Sequence, residues 1–171
     1  DILRIRNVYE MPTQTSLWNK SKEIIKNSLK YGHKPKILIT SWTPPTRLKD
    51  SSNNDPLTGG TLAKNASSEF DYQGFADWWK NSVDFYKTEF SLIKQELVNA
   101  GEWNFGSDTL NIDYISIQNE PNSNNNTDNC IMAPSEDIQG ASPTRAGYSE
   151  AFDYVFKTLA KAHGTLNMPK M

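Results

Sequence analysis

The sequence predicts an α/β fold built on a parallel sheet, and three observations lead there. Short apolar runs alternate with helical patterns along the chain. The run Lys36-Ile37-Leu38-Ile39-Thr40 is nearly continuously apolar, as suits a strand buried on both faces. The long polar stretches follow strands rather than helices. Strand–helix alternation of this kind implies parallel pairing through crossover connections.

Taken in order, Ile2 to Arg6 is the first expected strand. Trp18 to Tyr31 reads as a helix with Ile24, Ile25 and Leu29 on one face, stopped by Gly32. Lys36 to Thr40 is the second strand. A loop is expected from Trp42 to about Phe70, carrying Pro44, Pro45, Pro56, Gly59 and Gly60; loops this long in a compact domain are usually functional or disordered. Asp71 has the character of an N-cap. Behind it Phe75, Trp78, Trp79, Ser82, Val83 and Tyr86 recur at helical spacing, and Ile93, Leu97 and Val98 extend the helix after a break. Ile112 to Ile117 is the third strand, and a second polar loop runs from Asn119 to about Ala141. Ser142-Pro143 reads as N-cap and first helical residue. The stripe Tyr148, Ala151, Phe152, Val155 and Leu159 follows. Met168-Pro169-Lys170-Met171 is the approach to a further strand.

Composition narrows the function classes. The 171 residues carry a formal net charge of −2 with no dense Lys/Arg stripe, which argues against a nucleic-acid partner. No apolar run approaches the roughly 20 residues of a membrane span, and no signal-peptide pattern opens the chain. Cys130, the single cysteine, excludes an internal disulfide and makes no metal site by itself. Two Asn-X-Ser/Thr triplets start at Asn65 and Asn125 and would mark surface loops in a glycosylated protein. The five Trp and seven Tyr could fill a core or line a carbohydrate cleft. No glycine-rich phosphate loop follows any strand, which weakens a nucleotide-binding reading, although a doubly wound sheet fits the alternation as well as a barrel does.

Chemistry concentrates at three strand ends. In Leu3-Arg4-Ile5-Arg6-Asn7 the two arginines share the parity of alternate positions and point to one side, and each needs an anion if buried. In Ser41-Trp42-Thr43-Pro44-Pro45 a Trp fixed by two prolines makes a rigid apolar plate, suited to stacking on a pyranose ring or to capping a core. In Gln118-Asn119-Glu120-Pro121 an amide stands beside a carboxylate. Glycoside cleavage needs a carboxylic acid that protonates the leaving oxygen and later activates water, and an adjacent Asn can bond the neighbouring sugar hydroxyl.

The combination LRIRN, ITSWTPP, GGTL and YISIQNEP resembles glycoside hydrolase family 30, over almost the whole chain from Leu3 to about Lys170. That resemblance implies part of a TIM (β/α)8 barrel: approximately strands 2 to 4 with their helices and the approach to strand 5. Strand 1, strands 5 to 8 and a β-sandwich side domain would lie outside residues 1–171, and about 250 residues are typical of a whole barrel. It implies that Glu120 is the general acid/base of a retaining β-glycosidase, that Asn119 contacts the sugar 2-hydroxyl, that Trp42 forms the −1 subsite and that Arg4 sits near the nucleophile. Members commonly have Pro where Ser41 stands here. The nucleophile, a Glu after strand 7 in the family, corresponds to no residue of this chain, so the chain alone is expected to be inactive. The resemblance further implies no metal or organic cofactor, secretion, and a polysaccharide substrate with xylan first. β-1,6-glucan and β-glucosides are the alternatives within the family. A non-catalytic carbohydrate-binding protein on the same fold is the alternative of another class.

Overall fold

A computed structural model describes residues 1–50, 60–122 and 129–171. The expected loop positions Pro56 and Gly59 and the triplet starting at Asn125 lie outside the described residues. In chain order the strands are β1 (Ile2–Arg6), β2 (Lys36–Thr40), β3 (Lys49–Asp50), β4 (Thr61–Leu62), β5 (Tyr114–Ser116), β6 (Met132–Ala133) and β7 (Ala146–Gly147). The helices are α1 (Thr15–Lys30), α2 (Tyr72–Asn99) and α3 (Tyr148–His163). The chain gathers into two compact units, one of Asp1–Thr40, Asn81–Ser116 and Pro169–Met171, the other of Ser41–Lys80 and Ile117–Met168.

The first unit holds a parallel sheet in the order β1-β2-β5. The register aligns Arg4 with Leu38 and Tyr114, Ile5 with Ile39 and Ile115, and Arg6 with Thr40 and Ser116. Alternation then sorts the faces. Ile5, Ile37, Ile39 and Ile115 are buried on one side. On the other side Arg4 is exposed, Leu38, Tyr114, Arg6 and Ser116 are half-buried, and Thr40 is buried. The expectation that β2 is buried on both faces is therefore corrected: full burial belongs to Ile37, Ile39 and Thr40, and Leu38 sits on the less covered face. Lys170 bridges Tyr114 in parallel, with its carbonyl accepting from Ile115 N at 2.8 Å and its N–H donating to Asp113 O at 3.0 Å. Among the described residues no sheet closes on itself.

Helix α1 begins three residues before the expected start and stops where Gly32 turns to φ +77°. Gly32 N–H and His33 N–H then cap the Leu29 and Ser28 carbonyls at 3.0 and 2.8 Å. Its buried face is Trp18, Ile25 and Leu29; Ile24, expected on that face, is 51 % exposed because it lies one residue, about 100°, off the stripe. Trp18 meets Tyr86 edge-on with centroids 5.1 Å apart, and Phe90 at 6.1 Å. Tyr86 also ties down the β1 end: its hydroxyl accepts from Val8 N–H at 3.0 Å and donates to the Arg6 carbonyl at 3.2 Å.

Helix α2 is continuous over its 28 residues, so the expected break does not occur. The stripe Phe75, Trp78, Trp79, Ser82, Val83, Tyr86, Phe90, Ile93 and Leu97 is buried throughout, whereas Val98 points out. Asp71 caps the start, its Oδ1 accepting from Gly74 N–H at 2.8 Å. Gly74 permits that approach, since a Cβ there would stand 2.2 Å from Asp71 Oδ2.

The second unit corrects the sequence reading most. The expected loop after Trp42 contains a 3-10 turn at Thr46–Leu48 and the antiparallel pair β3-β4. The loop after Asn119 contains β6, which pairs in parallel with β7. The third strand is shorter than expected, with Ile112 and Ile117 buried just outside it. Helix α3 does not start at Ser142-Pro143. Pairing with β6 holds Ala146 and Gly147 extended, Gly147 N–H donates to Tyr72 Oη at 2.6 Å, and Gly147 is the N-cap. Only glycine fits there, because a Cβ would lie 2.7 Å from the backbone nitrogen of Glu136. Ala151, Val155 and Leu159 form the buried face of α3, while Phe152 is exposed.

Cys130 is fully buried in the second unit, and burial pushes its thiol up to about 12. Burial likewise raises the Tyr86 and Tyr72 hydroxyls, the latter helped by its hydrogen bond to Glu136. These groups keep their protons in the folded chain at a pH where the unfolded chain loses them. Their stabilisation is therefore complete below the ordinary thiol range of about 8.5 and declines as pH rises from there. The denaturant midpoint is expected to fall steadily above about pH 9. A midpoint flat up to about pH 11 would contradict this.

Candidate active site

Two strand ends meet in the second unit. Asn119 N–H donates to the Ser41 carbonyl at 2.7 Å, carrying the pairing past the last sheet residues. Gln118, 3 % exposed, fills the space between the segments. Its Nε2 donates to the Trp42 carbonyl at 2.6 Å and to the Asn119 carbonyl at 3.1 Å, and its Oε1 accepts from Ser41 Oγ at 3.5 Å. One amide thus joins the backbone under Trp42 to the backbone of Asn119.

The next residue, Glu120, has φ +44°. A side chain in the left-handed region costs roughly 1–2 kcal/mol. Both flanks are anchored: Asn119 as above, and Pro121 through its carbonyl, which accepts from Met132 N–H at 2.7 Å. Glu120 is exposed, Asn119 and Trp42 are half-buried, and Thr43, Pro44 and Pro45 are buried. The Trp42 ring is therefore carried on a well-packed base. Glu120→Gly is expected to raise unfolding stability by up to about 1 kcal/mol, since relieved strain outweighs the added freedom of glycine in the unfolded chain. A lowered denaturant midpoint would remove the strain assignment.

Of the residues singled out in the sequence, Trp42, Asn119 and Glu120 come together here. Arg4 belongs to the other unit, where it is exposed and its Nε donates to Thr40 Oγ1 at 3.3 Å. Asn65 is exposed, its Oδ1 accepting from the N–H groups of Ser67 and Glu69 at 2.9 and 3.1 Å.

Two further residues escape the sequence reading. Gln118 is one. The other is Lys49, 6 % exposed, whose Nζ donates to Thr43 Oγ1 at 2.9 Å and to the Asn129 carbonyl at 3.0 Å, pinning the segment behind Trp42. A surface role is the default for a lysine beside Asp50 in a polar stretch, and nothing in the local sequence marks this one as interior. Among the described residues no group of three or more His, Cys, Asp or Glu side chains could hold a metal ion. No described helix is long and apolar enough to cross a membrane.

Compared with protein-family models, with curated proteins and with solved structures, the chain matches none.

Proposed function

We propose that the chain is part of the catalytic domain of a retaining β-glycoside hydrolase, with Glu120 as its general acid/base. The observation that carries this reading is that Gln118 joins the backbone of Trp42 to that of Asn119, next to the exposed Glu120, where two strands end. On this reading Trp42 supports the sugar ring by stacking on its apolar face, and Asn119 bonds the hydroxyl next to the reacting carbon. In the first step Glu120 delivers its proton to the departing oxygen as a carboxylate nucleophile attacks the anomeric carbon. In the second step Glu120 takes a proton from the water that attacks the glycosyl-enzyme. The nucleophile is assigned outside this chain, at the separation of about 5–5.5 Å typical of retaining enzymes. Arg4 enters the reading through the family resemblance alone.

The strand order of the first unit accords with the barrel assignment, and equally with one half of a doubly wound sheet. The strands follow sequence order, β1-β2-β5, without the reversal that creates the ligand crevice of a doubly wound sheet. Lys170 continues that progression beside β5.

The preferred substrate is xylan, ahead of β-1,6-glucan and aryl β-glucosides. The test is to follow hydrolysis of these three by the intact protein that carries this chain, reading the anomeric form of the first product by proton NMR. Release of the β-anomer supports the reading. Inversion overturns the mechanism. Saturable glycan binding without hydrolysis selects a carbohydrate-binding protein instead.

A further inference from the structure

We propose that Gln118 is the positioning residue of this site, setting where the Glu120 carboxylate stands over the sugar held by Trp42. The inference rests on the glycosidase reading of Glu120.

The chemistry of the contact is specific. A primary amide has two N–H donors and one carbonyl acceptor. Both backbone carbonyls it reaches, of Trp42 and Asn119, need a donor, and the Ser41 hydroxyl supplies one to its oxygen. The two carbonyls, which only accept, fix which way round the amide sits, and the Ser41 hydroxyl adds a longer contact of 3.5 Å to its oxygen. A proline at position 41 would lack that contact. A carboxylate at position 118 would offer no donor to either carbonyl. An apolar side chain of the same length would fill the space and leave both carbonyls without the bond that sets their spacing.

The position also matters. Glu120 follows Asn119 directly and takes a left-handed backbone that no L-residue adopts without restraint. The place from which its side chain projects is thus set by the two anchored neighbours, Asn119 through Gln118 and Ser41, and Pro121 through Met132 N–H. Loosening the first anchor would move the carboxylate relative to the ring. Misplacement of a reacting group by about 1 Å can lower a rate about 100-fold.

The test uses the intact protein and two β-glycosides that differ in leaving group. Cleavage of an alkyl glycoside needs a well-placed proton donor, whereas a dinitrophenolate leaves without one. Gln118→Met is expected to lower kcat/KM on the alkyl glycoside by about 100-fold, with little change on the dinitrophenyl glycoside. A purely structural role would lower both alike through loss of folded protein. Equal falls, or no fall, overturn the proposal. If Gln118→Met does not fold, Ser41→Ala decides: it removes only the hydroxyl that donates to the amide oxygen, and should give a smaller loss with the same leaving-group selectivity. Unselective loss, or none, overturns the proposal there too. Glu120→Gln, run beside them, separates the two claims. If it lacks leaving-group selectivity, the acid/base reading itself fails. If it shows selectivity and the Gln118 and Ser41 variants do not, only the positioning role fails.

Discussion

Glu120→Gln in the intact protein is expected to reduce turnover of an unactivated glycan by about 100- to 10,000-fold, the usual contribution of general acid–base catalysis. The substitution preserves shape and removes only the transferable proton, so substrate binding should hold while kcat falls. With an activated aryl glycoside the first step survives and the glycosyl-enzyme accumulates, since no base activates water. Azide, a nucleophile that needs no base, should then restore turnover and yield a glycosyl azide of retained configuration. A variant with wild-type activity on xylan, β-1,6-glucan and alkyl glucosides would remove Glu120 from the mechanism. Because Glu120 is exposed, the substitution should leave the unfolding free energy within about 0.5 kcal/mol of wild type. The activity loss can then be read without a folding correction.

Trp79→Ala is expected to destabilise the folded chain by about 3–5 kcal/mol. Total stabilities of domains lie at about 5–15 kcal/mol, so this is a large share. The ring is fully buried and meets Trp78 edge-on with centroids 5.3 Å apart. Its Nε1 donates to the Ile117 carbonyl at 3.3 Å. Truncation therefore opens a cavity and also strips a buried carbonyl of its donor. Trp79→Phe separates the two contributions. It keeps most of the apolar contact and loses the hydrogen bond, and should be destabilising by about 1–3 kcal/mol. Denaturant unfolding followed by far-ultraviolet circular dichroism measures both. Equal effects would mean that the hydrogen bond dominates. No effect from either would mean that Trp79 is not a core residue. Ile117 directly precedes Gln118, so Trp79→Phe also tests whether the base of the site depends on α2.

The elements that were legible in the sequence are those whose signal is local. β1 and β2 have the bounds that their apolar runs imply, and Asp71 caps α2 as its side-chain chemistry predicts. The helical period weakens after Tyr86 in the sequence, which is where the break is expected. Phe90 stands four residues beyond Tyr86 and carries the buried stripe across it. Ser142-Pro143 is a sound local start signal for a helix, but β6 claims Ala146 and Gly147 first, and tertiary pairing overrides propensity. Two-residue strands such as β3 and β7 have no period to detect.

The site divides the same way. Trp42, Asn119 and Glu120 stood out because their side chains carry recognisable chemistry. Gln118 did not, because its partners are backbone carbonyls, one of them 76 positions away. Backbone atoms are the same in every residue, so no pattern of side chains announces such a contact. Lys49 was hidden for the same reason: one of its acceptors is the carbonyl of Asn129, 80 positions on.

The order β1-β2-β5 also bears on how the chain is made. Within this sheet β2 pairs with β1 and β5 with β2, so each new strand finds its partner already made. No early strand has to wait, unpaired, for a distant later one to be translated. Vectorial synthesis and sheet assembly can therefore proceed in step, each new crossover helix closing over the strands already laid down.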